Sequence, residues 1–126
     1  MATFGLVEYK DANPEVRAVY DDIMETRKTD SINNFWKALA SDPASLKRTW
    51  EETKRLMGPG ALDAVTKELI YIAVSVTTGC SYCIKVHTAA AAKKGITDTM
   101  LHELMSVVAL ANANVRLANG YQIDIE

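Results

Sequence analysis

The chain has 126 residues, of which 48% are hydrophobic, and its 14 basic and 16 acidic residues leave a net charge of −2. This length suits one ordinary domain with one core, so we expect residues 1–126 to form a single domain. The small, mixed charge provides no basic patch for nucleic acid or for an anionic membrane, and we expect neither as a partner.

The amino-terminal part of the chain predicts three helices after an extended lead-in over residues 1–13. Each helix is bounded by capping side chains, a proline at a helix start or a glycine-rich break. In chain order these signals are Asn13-Pro14, Asp30 or Ser31, Ser41-Asp42-Pro43 and Gly58-Pro59-Gly60. The lead-in has no long apolar run and no basic start of a secretory signal, so we expect a cytoplasmic protein.

The next segment is the most apolar of the chain. Asp63 can cap a fourth helix that extends to about Thr77, and from Leu69 to Val76 this helix is apolar on every side. Such a run predicts a buried central helix, although its β-branched residues leave a buried strand open. It is far shorter than the roughly 20 residues of a membrane-spanning helix.

Two further helices complete the prediction. The fifth covers Ser81 to Lys94 and ends at Gly95, and the last runs from Thr97-Asp98 to about Asn119-Gly120. The pattern therefore predicts an all-α, single-domain bundle of about six helices.

Both cysteines and one of the two histidines fall within eight residues at the start of the fifth helix. On a helix Cys80, Cys83 and His87 occupy positions i, i+3 and i+7 of one face. A helix N-terminus and a nearby histidine both favour the thiolate, so His87 can take the proton of Cys83 directly or through a water. This spacing predicts a dithiol redox site at the N-terminus of a core helix.

Glu68 is a candidate partner of His87. If the fourth and fifth helices form an antiparallel pair, a rise of about 1.5 Å per residue brings Glu68 near the level of His87. A carboxylate there fixes the imidazole tautomer, which gives a Glu68–His87 proton relay. In the predicted cycle Cys83 attacks a hydroperoxide and becomes a sulfenic acid, Cys80 condenses with it to a disulfide, and an external dithiol restores both thiols. No haem, flavin or metal is needed for any step.

The Cys-x-x-Cys pair alone leaves other interpretations open. Cys80, Cys83, His87 and Glu68 could supply four zinc ligands of a non-catalytic domain, although structural zinc sites usually draw ligands from two separated clusters. The cysteines could also be an inert buried pair. A thioredoxin-like domain would need residues 71–76 to be a strand, and the three helices predicted before residue 58 leave little chain for a sheet.

Several segments together resemble one family. Glu68-Leu69-Ile70, Gly79-Cys80-Ser81-Tyr82-Cys83, Val86-His87-Thr88-Ala89-Ala90 and Gly95-Ile96-Thr97-Asp98 are similar to the AhpD-like alkylhydroperoxidases of the carboxymuconolactone decarboxylase superfamily. The similarity covers about residues 50–120, and the combination Glu-x11-Cys-x2-Cys-x3-His is its most specific part. It implies an all-helical fold, homo-trimers or homo-hexamers, and an antioxidant peroxidase activity.

The resemblance also implies site roles. Cys83 attacks, Cys80 resolves, and His87 and Glu68 relay protons, while the reductant is a dithiol, in the family a lipoyl-bearing protein. The best-characterised members carry a histidine where this chain has Tyr82, which makes Tyr82 a candidate modulator. The leading prediction is a cofactor-free, metal-free peroxidase or disulfide oxidoreductase. The alternative is a lactone-processing decarboxylase, whose known members generally lack the cysteine pair.

Overall fold

The structure is a computed structural model that describes residues 5–126. In this range it contains six α-helices, one short 3-10 helix at Tyr9–Asp11 and no strand, so the predicted all-α fold is confirmed. The helices are α1 (Pro14–Arg27), α2 (Asn34–Leu39), α3 (Pro43–Met57), α4 (Ala64–Thr78), α5 (Ser81–Lys93) and α6 (Asp98–Tyr121). None of them is both long and apolar enough to cross a membrane. Residues 1–4 of the predicted lead-in lie outside the described residues.

The chain divides into two compact units, one ending at Leu56 and the other beginning at Met57. The first unit is built around two tryptophans. Trp36 lies edge-on to Trp50, with ring centroids 5.4 Å apart, and the Trp50 Nε1–H donates to Asp22 Oδ2 at 2.7 Å. Their buried neighbours come from α1, α3, the residue that follows α2 and the segment before α1, namely Ala12, Val16, Val19, Tyr20, Ile23, Ala40 and Leu46. The assignment of the whole chain to a single domain stays a prediction.

The start of α2 differs from the prediction. Asp30 and Ser31 do not cap it, because the helix begins at Asn34 with Asn33 at the N-cap. The backbone N–H of Ser31 instead donates to Thr29 Oγ1 at 3.3 Å. This local turn engages Ser31, one of the two predicted caps, and the helix begins two or three residues later than predicted.

The second unit is organised around α4, which contacts both α5 and α6. The α4 helix begins with the Asp63 side chain accepting the backbone N–H of Thr66 at 2.7 Å, as its sequence predicted. The apolar run from Leu69 to Val76, which the sequence allowed to be either a helix or a strand, is helical throughout. Ile72 of α4, Ala91 of α5 and Val108 of α6 are buried, together with two polar residues of α4, Glu68 and Ser75.

A tight turn joins α4 to α5. Gly79 adopts φ +80°, and its N–H and that of Cys80 both donate to the carbonyl of Ser75 at 2.9 Å. The left-handed backbone conformation at this position is costly for any residue other than glycine. Gly79 therefore lets the chain reverse in the space of one residue and enter α5 at Cys80.

This turn gives a stability prediction. Gly79→Ala should lower the free energy of unfolding by about 1 kcal/mol, because alanine must adopt the left-handed conformation although its methyl group has room. Gly120→Ala, in the last turn of α6 and equally unobstructed, is the matched control and should be neutral or slightly stabilising. Urea unfolding followed by circular dichroism measures both. Equal stability of the two variants would contradict the strain assigned to Gly79.

Candidate active site

The two cysteines are joined at the start of α5. Cys80 and Cys83 form a disulfide, with their Cα atoms 5.3 Å apart. Cys80 is also the N-cap residue of the helix, and its Sγ accepts the backbone N–H of Cys83 at 3.2 Å. Both residues are partly buried. The Cys-x-x-Cys pair thus closes the first turn of α5, which is the arrangement that the spacing predicted.

The helix N-terminus affects the two sulfurs differently. Its unpaired N–H groups favour negative charge at the start of α5. In the disulfide form, the Cys83 N–H already points at the sulfur of Cys80. After reduction the same N–H can stabilise a thiolate on Cys80, and a more stable thiolate is a better leaving group in thiol–disulfide exchange.

Glu68 and His87 meet across the α4–α5 pair. His87 Nδ1 lies 2.8 Å from Glu68 Oε2, and Glu68 is buried, with 4% of its surface exposed. An ionised carboxylate can only accept a hydrogen bond, so Nδ1 carries the hydrogen and Nε2 remains to exchange protons. The structure therefore brings together the two residues that helix-rise arithmetic had predicted to lie at one level.

Tyr71 covers one face of the His87 ring. The ring centroids are 3.6 Å apart and the ring planes differ by 21°. Tyr71 follows Glu68 by three residues on α4, so one face of that helix contacts the imidazole through both its edge and its plane. The carboxylate and the phenol ring together hold His87 in one orientation.

Lys94 supplies a second partner to Glu68. Its Nζ lies 2.8 Å from Glu68 Oε1, the oxygen that His87 does not contact. Lys94 is the C-cap residue of α5, seven residues after His87. The helix that carries the cysteines thus provides both hydrogen-bond donors to the buried carboxylate, the imidazole of His87 and the ammonium group of Lys94.

The protonation of Glu68 follows from these contacts. Burial acts to raise the pKa of Glu68, but the hydrogen bonds from His87 and Lys94 and the positive charge of Lys94 outweigh burial and lower this pKa below its usual value. Glu68 is therefore held as a carboxylate, the state that orients the imidazole.

The remaining predicted residues are placed as follows. Tyr82 lies in the first turn of α5 between the cysteines and is 40% exposed. His87 follows Cys83 by one helical turn, but no hydrogen bond joins His87 to either sulfur within residues 5–126. Proton transfer between them requires a water or a side-chain movement. The catalytic roles assigned to Cys80, Cys83, His87 and Glu68 stay predictions.

Sequence reasoning missed two contacts of this cluster, those of Tyr71 and Lys94. Helical spacing was the available signal, since Tyr71 lies at i+3 from Glu68 and Lys94 at i+7 from His87. The sequence alone allows zinc ligation by the cysteines, His87 and Glu68. Across the described range, no group of three or more His, Cys, Asp or Glu side chains is arranged to hold a metal ion.

Comparison with known proteins identifies relatives of this architecture. The family model described as the carboxymuconolactone decarboxylase family matches residues 43–123, a range that contains the predicted 50–120 segment. The crystal structure of the alkylhydroperoxidase AhpD core from Rhodospirillum rubrum has a TM-score of 0.96 and 47% sequence identity, covering 100% of this chain and 95% of that chain.

More distant relatives agree with this match. An uncharacterized protein of Cupriavidus necator is 30% identical over 97 residues, which are 77% of this chain and 80% of that protein. Alkyl hydroperoxide reductase AhpD from Anaeromyxobacter sp. is 28% identical over 113 residues, or 82% of this chain. The aligned region spans 58% of the length of that reductase.

The buried carboxylate predicts a pH dependence of stability. Because the pKa of Glu68 is lowered on folding, its contribution is complete above the unfolded value of 4.5 and is lost as pH falls through the folded value. Glu68→Gln should lower the free energy of unfolding at pH 7 by about 2 kcal/mol. The variant should also lose less stability than the wild type as the pH falls from 5 toward about 3.

The measurement is urea unfolding at a series of pH values. Glu103→Gln, which removes an exposed carboxylate of α6, is the control and should follow the wild type. Parallel pH curves for wild type and Glu68→Gln would show that Glu68 carries no linked protonation.

Proposed function

Because the chain belongs to the carboxymuconolactone decarboxylase family, we propose that it is a thiol-dependent oxidoreductase that reduces hydroperoxides through a Cys80–Cys83 cycle. The observation that carries this proposal is the disulfide at the N-terminus of α5, one helical turn before a histidine held by a buried carboxylate. The AhpD names of its relatives support the same chemistry.

The first half of the cycle uses Cys83 and His87. His87 Nε2 takes the Cys83 thiol proton through a water, and the thiolate attacks the terminal oxygen of the hydroperoxide. An S–O bond forms, the O–O bond breaks, and two electrons pass from sulfur to the peroxide. The leaving alkoxide takes the proton from the His87 imidazolium and departs as an alcohol, which leaves Cys83 as a sulfenic acid.

The second half uses Cys80. Its thiolate, favoured by the Cys83 N–H, attacks the sulfur of the sulfenic acid, so that an S–S bond forms and the S–O bond breaks. The departing hydroxide takes the proton that the Cys80 thiol released, and it leaves as water. The product is the disulfide that the structure contains, with the cysteine Cα atoms at 5.3 Å, a separation typical of disulfides.

An external dithiol must then return two electrons to the pair. Its first thiolate attacks one sulfur to give a mixed disulfide, and its second thiol releases the protein as the dithiol. We expect a small dithiol or a lipoyl-bearing protein in this role, and a reducing compartment such as the cytoplasm suits such a cycle. All steps use side chains of this chain and these two co-substrates.

Cysteine variants test the cycle. With cumene hydroperoxide and dihydrolipoamide, Cys83→Ser should lose at least about 100-fold of the turnover rate, because the nucleophile is removed. Cys80→Ser should react once with peroxide and accumulate a sulfenic acid that a sulfenic-acid-specific reagent traps. Tyr82→His, which adds an imidazole between the cysteines, should increase the turnover rate.

Ser81→Ala, a change of an exposed residue between the cysteines, is the control and should turn over like the wild type. Full hydroperoxide turnover by Cys83→Ser would overturn the proposal. Decarboxylation of a muconolactone that survives Cys83→Ser, in a protein inactive on hydroperoxides, would favour the lactone chemistry for which the family is named.

We further propose that copies of this chain associate through the second unit. Helix α6 carries a stripe of large apolar side chains at spacings of three, seven and four residues, and all are more than half exposed in the single chain. They are Val107, Leu110, Leu117 and Tyr121. On α4, Ile70 and Val74 are 49% and 56% exposed. Apolar patches of this extent usually mark protein interfaces, and a trimer or hexamer would cover them.

Sedimentation velocity tests this association. At micromolar concentration the wild type should sediment as a species larger than the 13.8 kDa monomer. Leu110→Glu, which places a charge in the middle of the stripe, should shift the protein toward monomer, whereas Arg116→Glu outside the stripe is the control. A wild-type monomer would contradict the proposal.

A further inference from the structure

Lys94 is placed where it can control the charge of the relay. Glu68 has two oxygens, and each has one partner at 2.8 Å, His87 at Oε2 and Lys94 at Oε1. The carboxylate is buried, whereas the Lys94 side chain is 35% exposed at the end of α5. Lys94 therefore extends from the surface to neutralise a charge inside the second unit.

We propose that Lys94 is a positioning residue of the relay, which neutralises Glu68 so that His87 remains uncharged with Nε2 free to accept a proton. This inference rests on the proposed function, because it concerns how the base of that cycle is kept in its working state. Within residues 5–126 Lys94 is not hydrogen-bonded to either cysteine, and it acts through Glu68.

The reason is a balance of charge. With Lys94 present, the carboxylate and the ammonium sum to zero, and a proton on His87 would add one positive charge to a partly buried cluster. Without Lys94, the carboxylate has a charge of −1, and a proton on His87 would neutralise it. Because opposite charges within about 4–6 Å stabilise each other, loss of Lys94 favours the imidazolium, which cannot act as a base.

The other groups near His87 are few. Tyr71 of α4 stacks on the imidazole. The face of its ring attracts a cation, so Tyr71 favours the imidazolium that Lys94 disfavours. On α5 the nearest titratable group toward the N-terminus is Cys83, which does not titrate in the disulfide, and Lys85 is exposed. No ionisable side chain of α6 is hydrogen-bonded to the cluster in the described part of the chain.

The test uses nitrogen-15 NMR of the histidine rings in the oxidised protein at pH 7, where neither cysteine titrates. The wild type should show His87 with a protonated Nδ1 and an unprotonated Nε2. Lys94→Met should show mainly imidazolium at His87, and Lys94→Arg should restore the wild-type signals. The other histidine of the chain, His102, is exposed on α6 and serves as the internal reference.

Two further variants sharpen the result. Lys93→Met removes the same charge from the adjacent exposed residue and should leave His87 as in the wild type. Lys94→Gln retains a hydrogen-bond donor without the charge, and it should behave like Lys94→Met. If Lys94→Met is poorly folded, Lys94→Gln provides the same test of the charge.

The second readout is the pH dependence of the Cys83 reaction with cumene hydroperoxide. In Lys94→Met the rate at pH 7 should fall about tenfold, and the rising limb of the profile should move up by about one pH unit, as loss of one nearby opposite charge implies. A purely structural role of Lys94 would lower the rate at every pH without moving the limb.

The outcomes separate the two proposals. An unchanged Nε2 signal in both Lys94→Met and Lys94→Gln would overturn the role of Lys94, even if the wild type reduces hydroperoxides. If the wild type fails to reduce any hydroperoxide while the NMR change is observed, the proposed function is wrong and the charge coupling stands. If Lys94→Arg fails to restore the signals, a charge effect is excluded.

Discussion

The second unit depends on one buried charge. Glu68 lies inside the α4–α5 pair, where an unpartnered carboxylate would be costly, and both of its oxygens accept hydrogen bonds from α5. This requirement fixes how α5 is placed against α4, since His87 and Lys94 must both face the carboxylate. The same contacts hold the imidazole in place one helical turn after Cys83. Stability and the proposed chemistry therefore share the same hydrogen bonds.

The fold supplies two different electrostatic environments along one helix. At its N-terminus, α5 offers an N–H group to the sulfur of Cys80, which favours a thiolate there. Two turns later the helix contributes the imidazole, and at its C-terminus the ammonium of Lys94. Negative charge on the sulfur of Cys80 is thus favoured at the beginning of α5. The negative charge of Glu68 is compensated by groups from the middle and the end of the same helix. The order of these groups along α5 follows directly from the sequence, in which the cysteines precede the lysines.

Much of this arrangement could be predicted from the sequence. The six helices followed from caps, glycine breaks and periodicity, and the meeting of Glu68 with His87 followed from helix rise alone, because an antiparallel pair has a fixed geometry. The start of α2 could not be read, since several cap-type residues occur in succession and a local turn at Thr29 competes with the helix. Lys94 looked like an ordinary basic residue of a last helical turn, and only the packing of α5 on α4 shows its partner.

The dual position of Cys80 has a consequence for how oxidation is accommodated. The residue caps α5 and is also half of the disulfide, so the helix itself sets the distance between the two sulfurs. Most cross-links join segments that must first be brought together by the rest of the fold, whereas here the linked residues are neighbours in one turn. In the proposed cycle the S–S bond would therefore form and break within a single turn of α5. The proposed cycle would then need no approach of two separate segments.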